Sequence, residues 1–314
     1  MRVLVTGGAG FIGSHLLDRL AEGGHKISVI DNLSTGTRAR VPARVQLHAF
    51  SVEAASAVAE VIAVERPEVI YHLAAQTSVR RSVADPIRDA TSNVMGTLAI
   101  LEAAKEIDAQ VIMASTSGAM YGDGVLQPTP ETELPRTTAP YGISKYCAEQ
   151  YLWLFNRLHG CRHIALRLGN VYGPRQDPYG ESGVVAIFCR QVAQGEKPTV
   201  YGDGAQSRDY VYVRDVVGAF IAATAYRGSD TVFNIGTGHG SSVLEVLNAV
   251  NSAAGTTLVP IHAPARSGEE RHAVLDSSRA AKQLGWIAQT RLRVGIHETF
   301  HVDHGISDSS SVPL

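Results

Sequence analysis

The chain reads as an α/β protein built on a doubly wound parallel sheet, with a smaller discontinuous α/β domain attached. Two observations predict this. Short, near-continuous runs of Val, Ile and Leu alternate with helix-length segments through the first half of the sequence, the pattern of strands covered on both faces. The first run, Val3-Leu4-Val5-Thr6, opens directly into a glycine-rich turn and then an apolar-periodic stretch, the strand–turn–helix order of a βαβ unit.

Taken in order, residues 2–6, 26–31, 45–49, 68–74, 110–115 and 163–168 are expected strands, and 11–22, 53–65 and 90–107 are helices between them. Right-handed crossovers then put the carboxyl ends of the strands on one edge, where ligands bind in such sheets. After Leu168 the loops lengthen, as in Gly173-Pro174-Arg175-Gln176-Asp177-Pro178. Residues 211–213, 215–226 (with Asp215 as the expected N-cap) and 232–236 are predicted to return to the main sheet. Further helices are expected near 243–253, 277–284 and 294–304. The sheet domain thus comprises residues 1–169 plus 211–238, and the smaller domain 170–210 plus 239–304. The Ser-rich stretch 305–314 lacks periodicity and is expected to fray.

Bulk properties exclude several classes. A net charge of -2, with 45% hydrophobic and 18% charged residues, gives no global attraction to nucleic acid or membrane. No apolar run is long enough to span a bilayer. Cys147, Cys161 and Cys189 are too few and too scattered for a disulfide framework, and the two nearest the long helix are expected to be buried. Met1-Arg2 leads straight into the first strand, so no signal peptide is expected, and a cytoplasmic location follows as the default. No metal-ligand spacing occurs.

The chemistry-bearing residues cluster where strands end. Thr6-Gly7-Gly8-Ala9-Gly10-Phe11-Ile12-Gly13 lets the backbone turn tightly and approach a pyrophosphate, whose charge a helix N-terminus favours. Asp31, closing the second strand, suits a hydrogen bond to the adenosine ribose; its charge would repel a 2′-phosphate, so NAD is preferred over NADP. The hydroxyls of Ser115-Thr116-Ser117 follow the fifth strand. Tyr141 and Lys145 stand one helical turn apart, where the ammonium is expected beside the phenol, lowering its pKa toward that of a general base.

These residues resemble the extended short-chain dehydrogenase/reductase family and, within it, the NAD-dependent nucleotide-sugar epimerases. The resemblance runs through about His304. It is carried by the glycine loop, Asp31-Asn32, His72-Leu73-Ala74-Ala75-Gln76, the segment from Ser115 to Gly122, Tyr141 to Lys145, Asn170-Val171-Tyr172-Gly173-Pro174-Arg175, and Gly202-Asp203-Gly204 with Arg208-Asp209-Tyr210. It implies a Rossmann domain holding NAD and a homodimer formed through the helices at 90–107 and 141–160. The implied activity is reversible 4-epimerisation of a UDP-hexose (UDP-glucose/UDP-galactose) through a 4-keto intermediate.

The resemblance also implies residue roles. Ser117 and Tyr141 meet the sugar O4, with Tyr141 the base and Lys145 on the nicotinamide ribose. Gly7, Gly10, Phe11, Ile12 and Gly13 take the pyrophosphate, Asp31 and Asn32 the adenosine ribose, and Ser51 and Val52 the adenine side. Leu73, Ala74, Ala75 and Gln76 line the cofactor cleft, and Asn93 supports the site. Asn170 and Arg175 face the substrate, Arg208 and Arg266 clamp its diphosphate, and Glu269 stands where the family usually has Asp for the uridine ribose.

Departures from the family pattern narrow the reaction. Phe50-Ser51-Val52 replaces the usual Gly-Asp-Ile near the adenine. Gly118 stands where dehydratases carry an acid, which argues against water elimination. Asp177 follows Pro174-Arg175-Gln176 where uronate epimerases often carry Arg; it disfavours a sugar carboxylate and leaves UDP-glucuronate as the alternative. A net nucleotide-sugar reductase or dehydrogenase, and a noncatalytic NAD-binding module, remain as rivals.

Overall fold

The computed structural model describes residues 1–122, 124–179, 183–265 and 270–306. Seven parallel strands form the main sheet: β1 (Arg2–Thr6), β2 (Lys26–Ile30), β3 (Gln46–His48), β4 (Val69–His72), β5 (Gln110–Thr116), β6 (Ile164–Leu168) and β10 (Val232–Ile235), in the order β10-β6-β5-β4-β1-β2-β3. Alternation along each strand divides the core into two layers. Val3, Val5, Val29, Tyr71, Leu166 and Phe233 face α1 (Phe11–Glu22) and α8 (Val213–Ala225), which contribute Leu16, Leu17, Leu20 and Phe220. Leu4, Ile30, Ile70, Val111, Met113 and Ala165 face α2 (Ala55–Glu65), α5 (Gly96–Lys105) and α6 (Pro140–His159). This is the expected doubly wound arrangement, and each such buried aliphatic side chain contributes about 1.5–3 kcal/mol.

Three elements differ from their sequence expectation. The helix expected over 90–107 is broken into α4 (Pro86–Ala90), a π-helical turn at Thr91–Met95, and α5. A short helix α3 (Val79–Ala84) precedes it. The wider π turn buries Asn93 to 1% exposure.

Residues 211 and 212 belong to β9 (Ser207–Tyr212), which does not join the main sheet. Instead β9 pairs with β7 (Asn170–Tyr172), β11 (Gly240–Ser242) and β13 (His272–Ala273) in a small separate sheet. Asp215 is not the N-cap of α8, which starts at Val213. It lies in the first turn and accepts from Thr290 N through Oδ2 at 2.9 Å.

A separate core cluster of Tyr172, Phe188, Val200, Tyr212, Val246 and Ile296 joins α7 (Val184–Ala193), α9 (Val243–Ala254) and α11 (Leu292–Asp303). β8 (Thr199–Tyr201) pairs with β12 (Ile261–Ala263), and α10 (Ser278–Leu284) packs against β10 and α8 of the main sheet layer. Cys189 is buried, whereas Cys147 on α6 and Cys161 just past its end are only half-buried. No helix among the described residues is long and apolar enough to cross a membrane.

Candidate active site

The carboxyl ends of β2, β1, β4 and β5 lie side by side, so Asp31, the glycine loop, the segment from Leu73 to Gln76 and the Ser115–Thr116–Ser117 hydroxyls form one edge in that order. Three interstrand steps separate the first from the last, about 14 Å at ~4.8 Å per step. At the β1 end, Gly7 has φ +71°, and a Cβ there would lie 2.7 Å from Ala74 N. Only glycine lets the two loops close on each other and expose backbone amides to an anion. Phe11 and Ile12 open α1, and Phe11 sits edge-on to His15.

Asp31 is buried, accepting from Ala9 N at 2.9 Å and Leu33 N at 2.8 Å with separate oxygens. It therefore ties the glycine loop to the β2 end and keeps lone pairs for a ribose hydroxyl. Asn32 is exposed and accepts from Ser34 N at 3.0 Å; Ser51 accepts from Glu53 N at 3.3 Å. Val52 is buried against Gly96. Arg38 and Arg40 donate to the carbonyls of Val41 and Arg175 at 2.8 and 2.7 Å.

A chain of hydrogen bonds stiffens the centre of this edge. His72 Nδ1 meets Thr6 Oγ1 at 2.7 Å, its Nε2 meets Thr97 Oγ1 at 3.0 Å, and Thr6 Oγ1 also accepts from Ala74 N at 3.2 Å. Burial and the nearby Lys145 charge hold His72 down at about 3, so the ring stays neutral. Asn93 accepts from Gln76 N at 2.8 Å and donates to Gln76 O at 2.9 Å and Ser144 Oγ at 3.1 Å, linking the β4 loop to α6.

α6 brings Tyr141 and Lys145 to the end of β5. Pro140 occupies its first turn, where a missing N–H costs nothing. Gly142 lies against Ala119 O so closely that any Cβ would collide with it, which is how the helix start approaches the β5 loop. Lys145 is 3% exposed and donates from Nζ to Ala114 O at 2.9 Å. Desolvation lowers its pKa to about 8, against the opposing charges of Asp89 and Glu149.

The Tyr141 phenol does not show the expected depression. Burial pushes it up to about 12, Thr116 lowers it through a hydrogen bond, and the Asp89 charge raises it further. The ammonium is directed at Ala114 O, and its field does not overcome desolvation of the phenolate in the chain alone. Ser117 Oγ is likewise turned away, donating to Leu168 O at 2.8 Å.

The remaining expected residues fall into two groups. Asn170 lies at the head of β7 beside the Gly118 backbone, next to the Ser117 loop. Arg208 donates to Ser207 O at 2.8 Å, and its neighbour Asp209 binds Thr237 N, Gly238 N and Leu275 N, fixing that strand. Arg175 departs from the expectation: its guanidinium pairs with Asp18 at 2.8 Å, and its backbone has φ +69°. Its side chain is thereby committed to α1, so a substrate contact would first require breaking that pair. Asp177 accepts from Tyr179 N at 2.9 Å within its own loop. Arg266 and Glu269 lie outside the described residues.

Sequence reasoning missed several supporting groups. Thr116, not Ser117, is the hydroxyl bonded to Tyr141. Glu149, one turn beyond Lys145 on the same face, takes Ser115 Oγ at 2.5 Å and a bidentate pair from Arg167, with Nη2 at 2.6 Å. Arg167 also donates to Tyr121 Oη at 2.7 Å, which donates to Asn234 Oδ1 at 2.9 Å. The helical spacing of Lys145 and Glu149 was the available signal; the partner on β6 had none.

An edge that offers amides at one end and a buried phenol and ammonium at the other belongs to dinucleotide-dependent enzymes, and the residues present fit NAD: a glycine cradle a Cβ would fill, and a carboxylate with lone pairs to spare. The chain belongs to the NAD dependent epimerase/dehydratase family, whose model matches residues 3–236. It is 43% identical over 306 residues to a UDP-glucose 4-epimerase of Mycolicibacterium smegmatis, covering 95% of this chain and 97% of the relative. Its structure is similar to that of a UDP-glucose 4-epimerase of Thermotoga maritima with UDP-glucose, at TM-score 0.94 and 44% identity, covering 97% of this chain and 99% of that one. A Thermus thermophilus UDP-glucose 4-epimerase in complex with NAD matches at TM-score 0.91 and 41% identity, again over 97% and 99% of the two chains.

Proposed function

We propose that this chain catalyses the reversible 4-epimerisation of a UDP-hexose, interconverting UDP-glucose and UDP-galactose with retained NAD. The observation that carries the reading is the placement of Tyr141, hydrogen-bonded to Thr116 at the end of β5, on the same sheet edge as the Gly7 cradle and Asp31. When bound, NAD supplies the acceptor and donor of hydrogen at the sugar C4. Tyr141 takes the 4-hydroxyl proton and returns it after the 4-keto sugar has turned. Lys145 holds the ribose and supplies positive charge beside the phenolate as it forms. Ser117, once its hydroxyl leaves Leu168 O, bonds the sugar oxygen. Arg208, with Arg266, grips the diphosphate, so the nucleotide is held while the sugar is free to present its other face.

A homodimer fits the same reading. Met95, closing the π turn before α5, and Ile143 and Trp153 on α6 are exposed apolar residues on the segments expected to pair. Trp153→Glu should convert a dimeric elution mass to a monomeric one if this face is the contact. A cytoplasmic location accords with the enzyme's nucleotide-sugar chemistry.

The test is incubation with UDP-glucose and catalytic NAD. UDP-galactose forming without stoichiometric NADH supports epimerisation, and NADH accumulating equally with product overturns it. A panel of UDP- and dTDP-sugars reads the specificity; exclusive turnover of UDP-glucuronate would displace the neutral hexose.

A further inference from the structure

Asp89 is a buried carboxylate for which the reaction just described has no role. It is 1% exposed at the end of α4, packed against α6. Its Oδ1 accepts from Gln76 Nε2 at 2.8 Å and Asn93 Nδ2 at 3.1 Å, while Oδ2 is buried without a partner. A carboxylate oxygen buried without a donor is costly unless a charge of opposite sign lies nearby. Two buried cations stand in this region, Arg167 and Lys145. Arg167 is fully engaged by Glu149 and Tyr121. Lys145 makes one hydrogen bond, to a neutral carbonyl.

We propose that Asp89 is a positioning residue for the proton-transfer pair: one oxygen latches the Gln76 and Asn93 amides, and the other is the counter-charge of the Lys145 ammonium. The inference rests on the catalytic reading of Tyr141 and Lys145. The charged and titratable groups facing Lys145 are Asp89 from α4, Glu149 from its own helix, His72 from β4 and Tyr141 one turn earlier. Glu149 is already neutralised by Arg167, and His72 is held neutral. Asp89 is therefore the uncompensated negative charge of the set. Its charge works against the desolvation that lowers Lys145, favouring the ammonium, and it opposes early ionisation of Tyr141. The amide latch couples the same carboxylate to the β4 loop, which lines the cofactor cleft.

The test is a lysine ¹³Cε NMR titration of the cofactor-free protein, in which Lys26, Lys105, Lys145, Lys197 and Lys282 are the only lysines. Asp89→Asn keeps an oxygen for the two amides and removes the charge. Its Lys145 midpoint is expected to fall by about one pH unit, and Asp89→Glu to restore most of that shift. In the NAD-loaded enzyme the alkaline limb of kcat/KM moves to lower pH by the same interval. A fall in kcat with both midpoint and limb unmoved would mean that Asp89 is only a structural latch and would overturn the proposal. If Asp89→Asn is recovered unfolded, Asp89→Ser is titrated in its place with the same two outcomes. Should Lys145→Met retain full turnover while the Asp89→Asn midpoint moves, the catalytic reading fails and the charge pairing stands.

Discussion

Lys145 Nζ points at the carbonyl of Ala114, 2.9 Å away, on the strand that carries Thr116. The ammonium and the Tyr141 hydroxyl are thus anchored to the same strand end by different partners. The strand, more than the helix spacing alone, registers the pair against the sheet edge.

Removing the proposed base tests the arrangement most directly. Tyr141→Phe should lower kcat by about 10²–10⁴-fold, the range for loss of a general acid–base group, with NAD binding retained. Product formation from UDP-glucose and a cofactor-binding titration measure the two quantities. Unchanged turnover would return the noncatalytic NAD-binding module to the front.

Lys145 should mark stability against pH. Its folded pKa of about 8 lies below the ordinary value of 10.5, so the unfolded chain binds more protons between them. Stability relative to Lys145→Met therefore rises as pH increases from about 8 to 10.5 and falls again as pH is lowered through that window. Denaturant unfolding of both proteins at pH 7.5 and 10 reads the difference.

His72 predicts acid sensitivity. It is buried, neutral and held at about 3 instead of 6.5. The unfolded chain protonates first, so stability is lost as pH falls from 6.5 toward 3, by up to about 5 kcal/mol. A His72→Gln variant should show a shallower decline over that range in urea melts.

The Glu149–Arg167 pair should be strongly asymmetric to mutation. Arg167→Met leaves a buried carboxylate with only Ser115 as donor and is expected to cost about 3–5 kcal/mol. Glu149→Leu combined with Arg167→Met should recover much of that loss, because no charge is then left unpaired. Thermal melts of the single and double variants decide it.

Asp31→Asn should weaken NAD binding about tenfold and reduce discrimination against NADP, since the ribose hydroxyls lose a charge-assisted acceptor and a 2′-phosphate loses its repulsion. Fluorescence titration with both nucleotides checks this, and an unaltered NAD/NADP ratio would remove Asp31 from the ribose site.

Local sequence by itself determined the main sheet, the glycine turn and the Tyr141/Lys145 spacing, because apolar alternation, glycine at a strand end and helical periodicity act over short stretches of chain. It also fixed which residue types could do the chemistry. Only the tertiary structure decided that β9 leaves the main sheet, that Arg175 turns to Asp18, and that Thr116 reaches Tyr141 while Ser117 bonds Leu168. The charges set on Tyr141 and Lys145 were likewise decided there. Asp89, Glu149 and Arg167 come from different elements, and their effect depends on burial and on through-space distances that close only when those elements pack.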